Sequence, residues 1–96
     1  MKCMIVGVNS HGFDLYNEIL KYPEFGYRAS GLFGFKKYPS KKNLDIPYLG
    51  KLIEMSDMVY KAHDVIFFSE KLPYKTQSFL LRKADQYNLK ANVVPE

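Results

Sequence analysis

The sequence predicts an α/β domain with a mostly parallel sheet of about five strands and about three helices. Short apolar runs typical of buried strands alternate with segments whose apolar residues follow helical spacing. The 96 residues, 47% hydrophobic and 25% charged, suffice for one such domain, so residues 1–96 are predicted to be a single unit. Right-handed crossovers restrict the topology, and we predict the strand order 3-2-1-4-5.

The first strand and helix are predicted from a change of period. Residues 2–8 form an apolar run short enough for a strand buried on both faces. From Gly12 the spacing becomes helical, and Asn9 or Ser10 can cap the free amides of the first turn. Pro23 then ends the helix. The apolar stripe predicted to face the sheet is Leu15, Tyr16, Ile19 and Leu20.

The remaining elements follow from shorter signals. Strands are predicted over residues 27–35, 46–50, 64–68 and 91–94, with 46–50 as an edge strand because Pro47 marks it. A short helix is predicted from the spacing of Met55, Met58, Val59 and Ala62. A longer helix begins at Pro73, has the core stripe Leu80, Ala84 and Tyr87, and ends at Asn88 in a left-handed conformation.

The net charge of +4 comes largely from four lysines between positions 36 and 42. No motif of a nucleic-acid reader accompanies them, so nucleic acid is not a predicted partner. The cluster has two interpretations, a solvated loop or a surface that meets an anion such as a ligand phosphate or lipid headgroups. No run approaches the roughly 18 apolar residues of a membrane helix. The single cysteine, Cys3, is predicted to be a buried thiol in a reducing, cytoplasmic compartment.

The stretch IVGVNSHGFD, residues 5–14, resembles the G-x-G-x-x-G loop of dinucleotide-binding domains. Gly7 and Gly12 occupy the outer positions, where they serve the tight turn and the close packing of helix on strand. Asn9 replaces the middle glycine. Asparagine tolerates left-handed backbone angles, so the turn is expected to survive while the side chain takes space that a pyrophosphate would need.

A second mark of NAD binding is an acidic residue at the end of the second strand, and Gly34, Phe35 and Lys36 stand there instead. Ordinary NAD binding is therefore disfavoured, although a lysine there suits NADP or a nucleotide phosphate. The helix N-terminus remains able to hold an anion. The candidate cofactor-binding residues are Gly7, Asn9, Ser10, His11, Gly12, Phe35, Lys36 and Ser69.

Two polar residues, His11 and Ser69, each have a functional and a structural interpretation, and His63 has a structural one only. His11 either donates to a phosphate or sugar or simply faces water. Ser69 lies at the predicted switch point of the sheet, where open α/β sheets bind ligands, or merely ends a strand. His63, in a tight turn between Lys61 and Asp64, is predicted to lie on the surface. No catalytic triad, carboxylate pair or metal-ligand cluster is visible, so no catalytic or metal residues are predicted.

Several segments in order resemble a known family. IVGVNSHG, YPEFGYRASGLF, IPYLG, HDVIFFSEKLP and VVPE together resemble the Rossmann-like, CoA-binding-like domain of bacterial polyprenyl-phosphate sugar phosphotransferases. These membrane enzymes initiate capsule, exopolysaccharide and O-antigen synthesis. The resemblance implies a non-catalytic accessory or regulatory domain that binds a nucleotide, nucleotide sugar or CoA. It also implies a place at the inner face of the cytoplasmic membrane, as a fragment of a longer membrane protein.

In that setting its partners are the membrane-embedded and transferase domains of the same parent chain, and a homo-oligomer is a further option. Three alternatives stay open. The chain could be an NAD(P)-binding domain of a redox or sugar-nucleotide-modifying enzyme. It also resembles, through NSHG at residues 9–12, the UDP-sugar-binding N-terminal domain of sugar acyltransferases. The third alternative is an interaction module with an empty site.

Overall fold

A computed structural model describes residues 1–34 and 47–94 of the chain. The strands are β1 (Lys2–Val6), β2 (Arg28–Gly34), β3 (Tyr48–Lys51), β4 (Val65–Phe68) and β5 (Lys90–Val93). The helices are α1 (Ser10–Lys21), α2 (Asp57–Lys61) and α3 (Tyr74–Gln86), with single 3-10 turns at Pro23–Phe25 and Leu52–Glu54. No helix in these two described ranges is both long and apolar enough to cross a membrane.

The five strands form one sheet in the order β3-β2-β1-β4-β5, and every pair of neighbours is parallel. This confirms the predicted fold class and strand order. The predicted edge strand is β3, Tyr48–Lys51, which confirms its place at the edge; position 46 of the predicted range 46–50 lies outside the described residues. Strand β1 ends two residues earlier than predicted because Gly7, with φ of 138°, turns the chain out of the sheet.

Side chains on the two faces of the sheet pack against different helices. Met4 and Ile66 point to the face that α2 and α3 cover, where they join the core side chains of those helices. Ile5 and Leu32 point to the opposite face, where they contact Tyr16 of α1. Residues 3–6 of the central strand are fully buried, which explains their continuous apolar run.

The predicted buried thiol is confirmed, since Cys3 has no exposed surface and this burial raises the pKa of the thiol.

Helix α2 is shorter than predicted and is held differently. Met58, placed by its spacing on the core side, is 71% exposed. Tyr60 is fully buried instead, and its hydroxyl donates to the carbonyl oxygen of Leu52 at 3.2 Å. Burial raises the pKa of Tyr60 to about 12. A helix of five residues completes little more than one turn, so a single anchoring side chain determines which side faces the sheet.

Helix α3 is joined to α2 by a surface network. The carboxylate of Asp57 accepts from Lys83 Nζ at 2.8 Å and from the Tyr87 hydroxyl at 2.5 Å. Beyond the end of α3, Asn88 has φ of 58°, which confirms its predicted left-handed conformation. In α1 the predicted stripe is correct for Tyr16, which is buried, and wrong for Leu20, which is 62% exposed.

Candidate functional site

The candidate site lies at the carboxyl ends of β1 and β4, where the order of the strands reverses. The connection from β1 leads through α1 to β2 on one side, and the connection from β4 leads through α3 to β5 on the other. The two connections diverge and leave a crevice at this edge, which is the usual ligand position in open α/β sheets. Gly7 follows β1 and Ser69 follows β4, so the predicted loop and the predicted serine are neighbours.

Asn9 joins the loop to the end of β4. Its side-chain oxygen caps α1 by accepting from the amide of Gly12 at 2.8 Å. Its side-chain nitrogen donates to the carbonyl oxygen of Ser69 at 3.0 Å. Asn9 is extended, with φ of −148° and ψ of −179°, which confirms it as the N-cap of α1; the turn does not use its tolerance of left-handed angles. Asn9 therefore acts as a two-sided hydrogen-bonding bridge.

Gly7 and Gly12 allow this loop to pack against Ser69. A Cβ atom at Gly7 would lie less than 3.0 Å from Ser69 Oγ, and one at Gly12 would lie equally close to the carbonyl oxygen of Gly7. Real Cβ atoms essentially never make such contacts. Both glycines thus have the turn and packing roles that the sequence predicts for the outer positions of the loop.

Ser69 is 4% exposed, and its hydroxyl points into the protein. The hydroxyl donates to the carbonyl oxygen of Val6 at 3.0 Å, an oxygen that also accepts from the backbone amide of Ser69 at 2.9 Å. Ser69 therefore closes the end of β4 onto the end of β1. Ser69 lies at the switch point as predicted. Its hydroxyl is hydrogen-bonded there to the backbone of β1.

The groups that remain open to a ligand lie in the first turn of α1. Gly12 donates its amide to Asn9 Oδ1 and Phe13 donates to the Asn9 carbonyl, whereas the amides of Ser10 and His11 have no acceptor in the described part of the chain. Both side chains are exposed. The positive end of the helix dipole and two free donors thus face solvent at the crevice.

Two of the predicted site residues, Phe35 and Lys36, lie outside the described residues. The strand that leads to them is described: Phe33 pairs with Val6, and Gly34 follows at the same edge of the sheet as the start of α1.

A cavity of about 290 Å³ adjoins Ser69 between the ends of β4 and β5 and the start of α3. Its lining includes Glu70, Lys71 and Gln77, which the sequence analysis does not single out. In the sequence, the local signal for these residues is the polar segment directly after the strand-like run. The topology of the fold then brings them beside Val93 and Val94. A larger groove of about 460 Å³ follows the outer face of α3, away from the switch point.

His63 corrects the prediction of a surface residue, since it is 8% exposed. Its Nδ1 lies 2.6 Å from the carbonyl oxygen of Val59 and its Nε2 lies 2.8 Å from Ser30 Oγ. The carbonyl can only accept, so Nδ1 carries a hydrogen and, in the neutral ring, Nε2 accepts from the Ser30 hydroxyl. Burial lowers the pKa of His63. The ring therefore joins α2 to β2 as a buried structural group.

Among the described residues, no group of three or more histidine, cysteine, aspartate or glutamate side chains could hold a metal ion. The unpaired donors at this edge of the sheet are the backbone amides of Ser10 and His11. No protein-family model, curated protein or solved structure matches the chain.

Proposed function

We propose that this chain is a non-catalytic domain that binds a nucleotide or nucleotide sugar and serves a sugar phosphotransferase of surface polysaccharide synthesis. Its role there is accessory or regulatory, at the inner face of the cytoplasmic membrane and next to the membrane-embedded and transferase domains. The ordered segments that resemble this family support the placement. The five-stranded parallel sheet in the order 3-2-1-4-5, which is consistent with a Rossmann-like fold, supports the nucleotide.

One observation supports binding of a ligand: two amides at the start of α1 have no acceptor in the described part of the chain, and they lie at the switch point. The unpaired amides of Ser10 and His11 point outward with the helix dipole behind them, which is a favourable environment for a phosphate group. His11 adds an exposed side-chain donor beside the two amides. The chain thus offers phosphate contacts without any charged residue in the first turn.

The hydrogen bond made by Asn9 disfavours the pyrophosphate contact of an ordinary dinucleotide-binding loop. Asn9 engages the Gly12 amide, so this third donor of the first turn is unavailable to a pyrophosphate. The cavity of about 290 Å³ lies beyond Ser69, and no residue of the first turn of α1 lines it, so it does not limit the size of a ligand at that turn. The two unpaired amides of Ser10 and His11 suffice for one phosphate group of the nucleotide.

The inward orientation of Ser69 supports a non-catalytic role. The hydroxyl of Ser69 donates to the carbonyl oxygen of Val6, and the residue is only 4% exposed. The hydroxyl is therefore not presented to the reacting atom of a ligand. His63 is likewise enclosed, with both ring nitrogens in hydrogen bonds to Val59 and Ser30.

An NMR titration of the chain with UDP and UDP-glucose tests this site. The backbone amide resonances of Ser10 and His11 are expected to move most, and uridine without phosphate should leave them in place. Ser10→Pro removes one amide donor at a position where helices accept proline, and the extended Asn9 before it is compatible with proline. This variant should weaken UDP binding about tenfold or more, because a hydrogen bond to a charged group is worth roughly 1.5–3 kcal/mol.

Ser10→Ala is the matched control, since it keeps the amide and should bind UDP within a few fold of the unmodified chain. Calorimetric titration with CoA, NAD(H) and NADP(H) separates the alternatives. Heat with only a nicotinamide cofactor would overturn the proposal in favour of a redox domain. If no nucleotide gives heat and the resonances of Ser10 and His11 do not move, the proposal is overturned and the chain is an interaction module with an empty site.

A further inference from the structure

The face of the sheet that carries α1 is only half covered. α1 packs on β1 and β2, where Tyr16 contacts Ile5 and Leu32. On the same face, β4 presents Phe67, and its register partner on β5 is Asn92. No helix within residues 1–34 and 47–94 crosses these two strands on this face. Because parallel sheets are normally covered on both faces, this half is the unpartnered surface among the residues that the structure describes.

An apolar groove runs along the open half, between α1 and β4. It encloses about 250 Å³, and its walls include Leu15, Ile19 and Tyr22 of α1. Tyr27 and Phe67 form its floor, with their ring centroids 5.7 Å apart in an edge-on contact. The groove lies beside the last turns of α1, at the end of that helix opposite to the free amides of Ser10 and His11. It is therefore separate from the candidate nucleotide site.

A projecting aromatic ring stands at the end of this groove. Phe25 is 69% exposed, although it is held in place by a tilted ring contact with Tyr22 at 5.6 Å between centroids. The 3-10 turn Pro23–Phe25 and the left-handed Gly26 after it fix the backbone at this point. One surface thus carries both an apolar projection and an apolar hollow, which is the condition for a self-complementary contact about a two-fold axis.

The charges beside the groove are complementary under the same symmetry. Glu18 lines the groove, and Lys21 lies one turn further along α1 with its Nζ 5.4 Å from the centroid of the Tyr22 ring. Neither forms an ion pair with another described residue. If two α1 helices pack antiparallel with the axis between positions 19 and 20, Glu18 of one lies opposite Lys21 of the other, twice.

We propose that a second copy of this chain covers the groove. In this dimer the Phe25 ring of each protomer inserts into the groove of its partner, and the two α1 helices pack antiparallel with two Glu18–Lys21 ion pairs between them. The exposed face of α3 is the weaker candidate, although it shows Tyr74 at 84% exposure, because that helix already covers the sheet beneath it.

Sedimentation equilibrium over a range of about 1 μM to 1 mM tests the dimer, since this range spans weak to moderate affinities. The chain should move from its monomer mass of 11.2 kDa to twice that value. Phe25→Ser should weaken dimerisation about tenfold or more, because buried aromatic anchors dominate interfaces. Tyr74→Ser is the matched control and should leave dimerisation unchanged. Circular dichroism verifies that Phe25→Ser and Tyr74→Ser, which both replace exposed residues, keep the fold.

Charge reversal tests the arrangement of the helices. Glu18→Lys and Lys21→Glu should each weaken the dimer, and the double variant should recover its affinity, because the reversed charges pair again. A chain that remains monomeric at about 1 mM would overturn the proposal. So would a dimer that Tyr74→Ser dissociates and Phe25→Ser does not, or a double variant that stays as weak as the single ones.

Discussion

Replacing Asn9 by alanine tests whether one side chain joins the loop, α1 and β4. The substitution removes the N-cap acceptor of Gly12, which costs about 1 kcal/mol in typical helices. It also leaves the carbonyl oxygen of the buried Ser69 without the Asn9 donor, at a cost of about 1–3 kcal/mol. We expect a loss of about 3 kcal/mol in the free energy of unfolding, or about 12–24 °C in Tm for a domain of this size.

Urea denaturation followed by circular dichroism measures this loss. Asn9→Ser keeps an oxygen that can cap the helix and lacks the amide donor, so it should lose only the bond to Ser69, about two thirds of the effect. Asn17→Ala is the matched control, because Asn17 is exposed on the same helix and alanine is the better helix former. If Asn9→Ala unfolds within about 0.5 kcal/mol of Asn17→Ala, the reasoning about the bridge is refuted.

Three further predictions address packing and pH. Gly12→Ala should cost about 1–3 kcal/mol in urea unfolding, because its Cβ would press on the Gly7 carbonyl; an unchanged midpoint would contradict this. Burial lowers the pKa of His63 below its usual 6.5, so the unfolded chain binds the proton first. The contribution of His63 to the free energy of unfolding should therefore be fully present above pH 6.5 and be lost as the pH falls below that value. His63→Gln should make the free energy of unfolding less dependent on pH in this range. Hydrogen bonds from Lys83 and Tyr87 lower the pKa of Asp57, so an NMR titration should place its carboxyl midpoint below 3.8.

The features that the sequence predicts well are those with a local physical signal. The strand order is one of the few that the alternation of elements and the hand of their crossovers allow, and the left-handed Asn88 follows from its position after a helical stripe. The loop at residues 7–12 is correct in outline. Asn9 was predictable as an N-cap, whereas its tolerance of left-handed angles is not what preserves the turn, because an N-cap residue is extended and need not imitate the glycine it replaces.

The features that escape prediction depend on contacts between distant residues. His63 has charged neighbours in the sequence, and it is buried because Ser30, 33 positions away, supplies a partner for its ring. Tyr60 anchors a helix too short to display a period. The cavity at Lys71 and Gln77 exists because the topology places the start of α3 beside the end of β5. The contacts of His63 and Tyr60 leave no pattern along the chain, and the cavity leaves only the polar segment that follows β4.

The central position of β1 also governs when this sheet can form during synthesis. β1 pairs with β2 on one side and with β4 on the other, and the amide of Lys2 donates to the carboxylate of Asp64, 62 positions away. A nascent chain that has not yet extended through β4 leaves one edge of β1 without hydrogen-bond partners. Pairings of such long sequence separation slow folding. Ribosome-bound chains that stop before β4 should therefore expose the apolar side chains of β1 and require chaperones until the fourth strand emerges.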